Sequence, residues 1–240
     1  MLILAVDTST RMGSAAILRD SEVLAEMSGY EETPYSMRLF RDIALLQDRA
    51  NFRIDQVDVF AVAAGPGSFT GLRVGLTAVK AWAEVHGKPI AAISGLEAIA
   101  AESLAGEAIN GSRPHLIAPF LDARRGQIFG SIYSRNSDDA SPLGLASDES
   151  ILSVDEFLNL VKEKSPQLIK LVSPTPDVLP SARLEEVLPG ARIVQVSAVL
   201  APAIGRLGFE RAKRGDLVDS IRLDANYVRR SDAESAWKDG

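Results

Sequence analysis

Residues 65–75 read GPGSFTGLRVG, and the interpretation of the whole chain depends on why so much glycine is placed there. The stretch follows the apolar run 57–65 and precedes a helical pattern over 72–87. N–H groups at the start of a helix favour anions, and either Ser68 or Thr70 suits the capping position. The stretch lacks the lysine and the spacing of a P-loop, and it is not a GxGxxG motif. It therefore either holds an anion or lets another segment come very close.

Two of the glycines lie inside the predicted helix and share one of its faces. Gly71 and Gly75 are four residues apart, and Val79 continues the same face. Glycine inside a helix costs about 1 kcal/mol relative to alanine, so a compensating interaction is expected. Missing side chains allow another backbone to approach closely. The sequence leaves three packing partners open: the preceding helix at 33–50, a second copy of the chain, or another protein.

Arg73 is an unusual residue for its place in the same helix. It lies in the first turn, where the helix dipole disfavours a cation by about 0.3–1 kcal/mol. Two interpretations remain open. Arg73 is either a solvated surface arginine or it pairs with a carboxylate or phosphate of a partner.

The preceding helix, predicted for 33–50, is apolar on two sides. Thr33 is its predicted cap, and Pro34 is its first residue, where the missing N–H costs nothing. The two apolar stripes are Leu39, Ile43, Leu46 and Ala50 on one side and Met37, Phe40 and Ala44 on the other. One stripe is enough to cover a sheet. Periodicity favours a helix buried inside its own domain, and the alternative is a helix that also packs on a second surface.

Strands and helices alternate along the rest of the chain. Three short strands precede the first helix, and Asp7, Thr8 and Ser9 follow the first of them. The apolar run 57–65 is typical of a buried parallel strand. A polar break follows near 110, and the second half repeats the pattern more loosely. Such alternation predicts α/β layers, arranged as an N-terminal lobe over 1–109 and a C-terminal lobe with a tail over 110–240.

Composition excludes several classes of protein. The 240 residues include 46% hydrophobic side chains, no cysteine and only two histidines, so disulfide and cysteine–metal sites are excluded. No apolar run reaches the roughly 20 residues of a membrane span, and the first one is too short for a signal peptide. We expect a cytoplasmic protein that does not bind membranes. The net charge of −6 argues against a protein that binds nucleic acid by itself.

Three segments resemble the TsaB family, which is also called YeaZ. They are ILAVDTST at 3–10, GPGSFTGLRVG at 65–75 and LDARRGQIFGSIY at 121–133. The likeness covers most of the chain in order. It implies the two-lobed fold of actin, Hsp70 and sugar kinases (the ASKHA fold), in which each lobe is a mixed sheet flanked by helices.

The resemblance also implies a function. Members of this family act as non-catalytic, activating and dimerising subunits of the complex that makes threonylcarbamoyladenosine in tRNA. That complex transfers a threonylcarbamoyl group to N6 of the adenosine next to the anticodon in tRNAs that read codons starting with A. The implied partners are the catalytic paralogue TsaD and the ATPase TsaE, with tRNA bound through the complex, and the chain alone is expected to form a homodimer.

Pairing in the family runs through the first two helices, which here are 33–50 and 69–86. The two apolar stripes and the helical glycines agree with such an interface. The residues predicted to form it are Leu39, Ile43, Leu46, Gly71, Leu72, Arg73, Gly75, Leu76 and Val79.

Enzymes of this fold bind nucleotide through phosphate loops, and here these loops are expected to be degraded. Asp7, Thr8 and Ser9 stand where the first phosphate loop would be, and Asp122 where the second would be. The second loop continues as ARRG, and the expected adenosine loop reads SPTPDV, without a glycine pair. No histidine lies between 33 and 51 to hold a metal. We therefore expect no catalytic residue, metal or cofactor of its own, with ATP used by the assembled complex.

The alternative is a kinase-like enzyme of the same fold that binds ATP and acts alone. In that case Asp7 and Asp122 would hold magnesium. Two departures from the family pattern are also visible. Tyr35 replaces a histidine that relatives often carry, and Ala225 replaces a proline near Tyr227 in the tail. In the turn at 124–125, the two arginines either are solvated or contact tRNA or acidic groups of a partner.

Overall fold

The first half of the chain builds a five-stranded mixed sheet. In the computed structural model, the described residues are 1–29, 35–105, 116–135, 143–164 and 169–228. The strands of the first sheet are β1 (Leu2–Asp7), β2 (Ser14–Arg19), β3 (Glu22–Ser28), β4 (Val59–Gly65) and β5 (Ile90–Ser94). Their order is β3-β2-β1-β4-β5. The three strands of the initial meander pair antiparallel, whereas β4 and β5 add in parallel.

The second half builds a sheet with the same topology. Its strands are β6 (Leu116–Arg124), β7 (Gln127–Arg135), β8 (Leu143–Ser153), β9 (Ile169–Ser173) and β10 (Ile193–Gln195). They are ordered β10-β9-β6-β7-β8. β6, β7 and β8 pair antiparallel, and β9 and β10 add in parallel beside β6. The repetition expected from the sequence is thus present as two equivalent sheets.

Six helices within the described ranges cover these sheets. They are α1 (Tyr35–Ala50), α2 (Phe69–His86), α3 (Gly95–Glu102), α4 (Val154–Glu163), α5 (Ser181–Val187) and α6 (Ala201–Arg214). Helices α1 and α2 share a buried apolar cluster with the outer face of the first sheet. Helices α4 and α5 do the same for the second sheet. Every helix within the described ranges is too short or insufficiently apolar to cross a membrane.

The remaining two helices pack between the sheets. α3 contacts β4 and β5 of the first sheet and β6 to β9 of the second. α6 follows the second sheet in the chain but packs on β1, β2 and β4. A single buried apolar cluster therefore includes residues of both sheets together with α3 and α6. The lobes 1–109 and 110–240 remain a prediction, and α6 shows that the second segment contributes to the layer over the first sheet.

Local sequence explains where α2 begins and ends. Ser68, one of the two candidate caps, accepts a hydrogen bond from the Gly71 N–H at 3.3 Å. Gly87 ends the helix in the left-handed conformation, with φ of 61°, a position that favours glycine. The cap predicted for α1 at Thr33 lies outside the described residues. α1 itself is described from Tyr35 onward.

Candidate functional site

The loop after β1 is folded back on itself around Asp7. Asp7 is fully buried, and its Oδ1 accepts hydrogen bonds from the backbone N–H and the hydroxyl of Ser9 at 2.8 and 2.6 Å. Among the described residues, nothing donates to its Oδ2. Burial raises the pKa of Asp7, and the two bonds from Ser9 oppose that rise only in part. Oδ2, the carboxyl oxygen that Ser9 does not contact, is therefore buried as well.

The glycines of α2 bring this helix against the same loop. The Thr8 hydroxyl donates to the Gly71 carbonyl at 2.7 Å, and the Ser68 N–H donates to the Ser9 carbonyl at 2.8 Å. A Cβ at Gly71 would lie 2.0 Å from the Thr8 carbonyl oxygen, and one at Gly75 would lie 2.4 Å from the Thr8 hydroxyl oxygen. Real Cβ contacts are essentially never this short, so a side chain at either position would force Thr8 to move.

These contacts choose between the two explanations of the glycine-rich stretch. The missing side chains allow close approach, and the approaching segment is the loop at Thr8 of the same chain. This segment is none of the three packing partners that the sequence left open. That Gly71 and Gly75 belong to a partner interface stays a prediction. The residues predicted as a vestigial phosphate loop, Asp7, Thr8 and Ser9, are brought together, and their contacts are made within the chain.

Most of the other predicted interface residues are core residues. The following six are at most 7% exposed and belong to the cluster beneath α1 and α2: Leu39, Ile43, Leu46, Leu72, Leu76 and Val79. The apolar spacing was correct, but it marks the side of each helix that covers the first sheet. Their side chains are thus used by the chain's own core, and a role for these six residues in a partner interface stays a prediction.

The second stripe of α1 faces outward. Met37 is 74% exposed and Phe40 62% exposed, and Ala44 is also exposed. The edge of the Phe40 ring meets Trp82 of α2, with 5.8 Å between ring centroids. An exposed apolar row of this kind on one helix face is typical of a protein contact. We call Met37, Phe40, Ala44 and Leu45 the α1 outer stripe.

Arg73 makes contacts with two aromatic residues of its own chain. Its guanidinium lies 3.8 Å from the centre of the Phe69 ring, and its Nε donates to the Tyr227 hydroxyl at 3.4 Å. Tyr227 in turn packs on Phe69, with 5.0 Å between ring centroids. The tail therefore lies across the first turn of α2. The contacts of the Arg73 guanidinium with Phe69 and Tyr227 compensate for the unfavourable helix dipole.

The second candidate loop, after β6, has different contacts. Asp122 accepts the backbone N–H of Arg124 at 2.7 Å and pairs with the Arg124 guanidinium at 3.1 Å. Arg124 and Arg125 both have positive φ, at 66° and 57°, and Gly126 follows at 72°. The carboxylate of the second loop is thus held by its own turn, at the position where a phosphate loop would need open N–H groups.

The segment predicted to replace an adenosine loop is hydrogen-bonded to β6. After β9, the Ser173 hydroxyl donates to the Phe120 carbonyl at 2.8 Å and accepts the Thr175 N–H at 3.1 Å. A short 3-10 helix, Pro176–Val178, follows directly. Among the described residues, no group of three His, Cys, Asp or Glu side chains is arranged to hold a metal ion.

Tyr35, one of the two departures from the family pattern, packs against Gly13 in the loop between β1 and β2. Its hydroxyl lies where a Cβ of residue 13 would stand, which only Gly13 permits. The Arg38 guanidinium lies 4.2 Å from the centre of the Tyr35 ring and donates to the Met12 carbonyl at 3.3 Å. Burial is the main reason why the pKa of Tyr35 rises to about 12.

Sequence reasoning missed a polar junction between the two sheets. Glu149 on β8 accepts hydrogen bonds from the hydroxyls of Ser94, at the start of α3, and Tyr133, on β7. It also accepts the Asn226 side-chain amide at 2.5 Å, and the Asn226 backbone N–H donates to the Ala64 carbonyl at 2.7 Å. No sequence signal distinguishes Glu149 from the other polar residues of β8.

Comparison with known proteins identifies the family of this chain. The family model described as TsaD, tRNA N6-adenosine threonylcarbamoyltransferase, matches residues 34–198. The Bacillus subtilis tRNA threonylcarbamoyladenosine biosynthesis protein TsaB is 31% identical over 237 residues, covering 99% of this chain and 98% of that protein. The chain belongs to the TsaB family. The prediction made from the three sequence segments is confirmed.

Solved structures agree on the fold of this TsaB-family chain. YeaZ from Pseudomonas aeruginosa superposes with a TM-score of 0.75 at 22% identity, covering 94% of this chain and 99% of that chain. Component A of (R)-2-hydroxyglutaryl-CoA dehydratase from Acidaminococcus fermentans superposes with a TM-score of 0.50 at 9% identity, covering 89% and 99%. The predicted two-lobed ASKHA fold is confirmed.

Proposed function

We propose that this TsaB-family chain is a non-catalytic, activating subunit in the threonylcarbamoyl modification of tRNA. Its catalytic partner is a TsaD-like paralogue that transfers the threonylcarbamoyl group to N6 of the adenosine next to the anticodon, in tRNAs that read codons starting with A. A TsaE-like ATPase consumes the ATP of the assembled complex, and tRNA is bound through the complex. Family membership supports the pathway, and the state of the loops supports the non-catalytic role.

The observation that carries the non-catalytic role is the contact between Thr8 and α2. A phosphate entering the first loop would have to displace the hydrogen bond from Thr8 to Gly71 and the one from Ser68 to Ser9. Asp7 is buried behind this contact, and its raised pKa opposes the charged form that a metal ion needs. The second carboxylate, on Asp122, is already paired with Arg124.

The α1 outer stripe supports a partner surface next to α2. Large apolar side chains that are more than half exposed are costly to leave in water, at roughly 25 cal/mol per Å² of apolar area. Phe40 and Met37 meet that description. The same stripe gives the isolated chain a self-complementary surface for a homodimer, which the catalytic partner would displace.

Activity in a reconstituted system tests the role. With TsaD-like and TsaE-like partners, ATP and tRNA, modification is expected only when this chain is added. The chain alone is expected to show no saturable binding of Mg-ATP by calorimetry. Tight one-to-one binding would instead support the kinase-like alternative, in which Asp7 and Asp122 hold magnesium.

A charge placed on the α1 outer stripe tests the partner surface. We expect Phe40→Asp to weaken binding to the TsaD-like partner by about 30-fold or more, because a central aromatic contact is typically worth at least 2 kcal/mol. Leu145→Asp is the matched control, since Leu145 is an exposed leucine of β8, in the second sheet. Equal affinities for wild type and Phe40→Asp, with both proteins folded, would contradict this surface.

A further inference from the structure

A pocket between α2 and the tail is not explained by the proposed function. It has a volume of about 140 Å³ and opens at the surface. Arg73, Thr77 and Lys80 line it from α2, and Asp224, Ala225 and Tyr227 line it from the tail. We call it the α2–tail pocket. Arg73 and Lys80 are seven residues apart, two helical turns, so both side chains lie on the same side of the helix.

The pocket presents donors rather than acceptors. The Tyr227 hydroxyl accepts a hydrogen bond from Arg73 Nε, which leaves its own hydrogen available to donate. Lys80 is half-buried, and within the described residues no hydrogen bond or ion pair satisfies its ammonium group. An ammonium group that is partly removed from water gains from an anionic partner.

The charge balance and the size of the pocket restrict the ligand. Asp224 is the only acidic residue among those lining it, and its Oδ1 is engaged by the Ala225 N–H at 2.8 Å. Two cations therefore face one carboxylate. A volume of 140 Å³ lies well below the roughly 300 Å³ at which drug-sized ligand pockets begin. It suits a single small oxyanion and excludes a whole nucleotide.

We propose that the α2–tail pocket binds a phosphate group, held by Arg73, Lys80 and the Tyr227 hydroxyl. Phosphate is favoured over carboxylate because it carries up to two charges and has more acceptor oxygens. The group is supplied either as free inorganic phosphate or as the terminal phosphate of a larger molecule whose remainder extends out of the open side. This proposal does not depend on the proposed function.

Titration of the full chain with inorganic phosphate tests the site. In ¹H–¹⁵N NMR spectra at low ionic strength, we expect saturable shifts confined to the amides of α2 near Lys80 and of the tail at 223–227. Lys80→Ala should weaken binding about tenfold, as expected for one charge-assisted hydrogen bond. Tyr227→Phe keeps the ring on Phe69 and should weaken binding by a smaller factor. Lys88→Ala is the matched control, since Lys88 is equally half-buried but does not line the pocket.

Each outcome decides the proposal. Shifts that never saturate, or equal weakening in Lys80→Ala and Lys88→Ala, would overturn it, because both indicate non-specific attraction. Acetate binding as tightly as phosphate would also overturn it. A phosphate monoester such as phosphoserine that matches inorganic phosphate would support the terminal phosphate of a larger molecule as the source. Binding of inorganic phosphate alone would support the free ion.

Discussion

The two sheets share one topology, yet the loops that follow their first strands differ. β1 and β6 each end near an aspartate, Asp7 and Asp122, and each lies between an antiparallel and a parallel neighbour. Asp7 is fully buried, whereas the Asp122 side chain is 30% exposed and paired with Arg124. The same position in the fold therefore carries a buried carboxyl group in one half and a partly exposed ion pair in the other.

The difference follows from what comes after the parallel neighbour of each strand. After β4 the chain supplies glycines, and α2 begins close enough to touch the loop at Thr8. After β9 it supplies Ser173 and Pro174, and a short 3-10 helix over Pro176–Val178 precedes α5. Topology thus fixes where the two loops lie, and a few small residues decide whether a helix closes them. The loss of an open phosphate loop need not change the fold at all.

The largest expected effect comes from breaking the closed loop. Gly71→Val places a Cβ about where the Thr8 carbonyl oxygen stands, with a separation of 2.0 Å, and the backbone on both sides has to move. We expect a loss of about 3 kcal/mol in the free energy of unfolding, at the upper end for overpacked sites. Urea unfolding followed by circular dichroism measures it. Ala81→Val, on the exposed side of the same helix, is the control and should cost about 0.5 kcal/mol. Similar losses in both variants would mean that α2 does not press on the loop.

Much of this arrangement could be predicted from the sequence. Alternating strands and helices indicated two α/β layers, and the glycine-rich stretch indicated either an anion site or a close approach of another segment. The sequence offered Ser68 and Thr70 as the cap of α2, and the structure shows Ser68 in this role. The identity of the approaching segment could not be predicted, because Thr8 is 63 residues from Gly71 and no local pattern reports such a distant contact.

The two stripes of α1 show a second limit. Periodicity places Leu39 and Ile43 on one side and Met37 and Phe40 on the other, but both stripes are apolar. Which one covers the sheet depends on how the helix is rotated about its axis, and that is set by the shape of the sheet surface. Only the structure shows that the first stripe is buried and the second exposed. The junction at Glu149 was not predictable for a similar reason, since its three donors come from distant segments.

A smaller effect should appear in the pH dependence of the closed loop. The pKa of Asp7 is raised by burial above its ordinary value of 3.8, so the folded state holds a proton that the unfolded state releases. Above about pH 4 the unfolded state binds fewer protons, and this group makes the protein less stable as pH rises toward its folded pKa. Asp7→Asn keeps an acceptor for Ser9 and removes the titration. We expect the variant to be at least as stable as wild type at pH 7.

Unfolding curves measured at several pH values between 4 and 7 test this expectation. The difference in unfolding free energy between wild type and Asp7→Asn should shift in favour of the variant as the pH rises. A difference that shifts in favour of wild type would mean that the Asp7 carboxylate is stabilised in the folded state. That result would also weaken the argument that the first loop is unsuited to a phosphate-bound cation.

The smallest effect is expected at the open loop. Asp122→Asn removes the ion pair with Arg124 but keeps an oxygen that can accept the Arg124 N–H. The Arg124 side chain is 60% exposed, and ion pairs in water contribute only about 0.2–1 kcal/mol. We expect a loss of about 0.5 kcal/mol in urea unfolding that shrinks at high salt, because exposed pairs are screened. Arg53→Gln is the control, since it removes an exposed pair with Asp55 outside the loop. If Asp122→Asn cost several times more free energy than that control, the turn at 124–126 would depend on its carboxylate as strongly as the first loop depends on its glycines. The contrast between the two halves would then disappear.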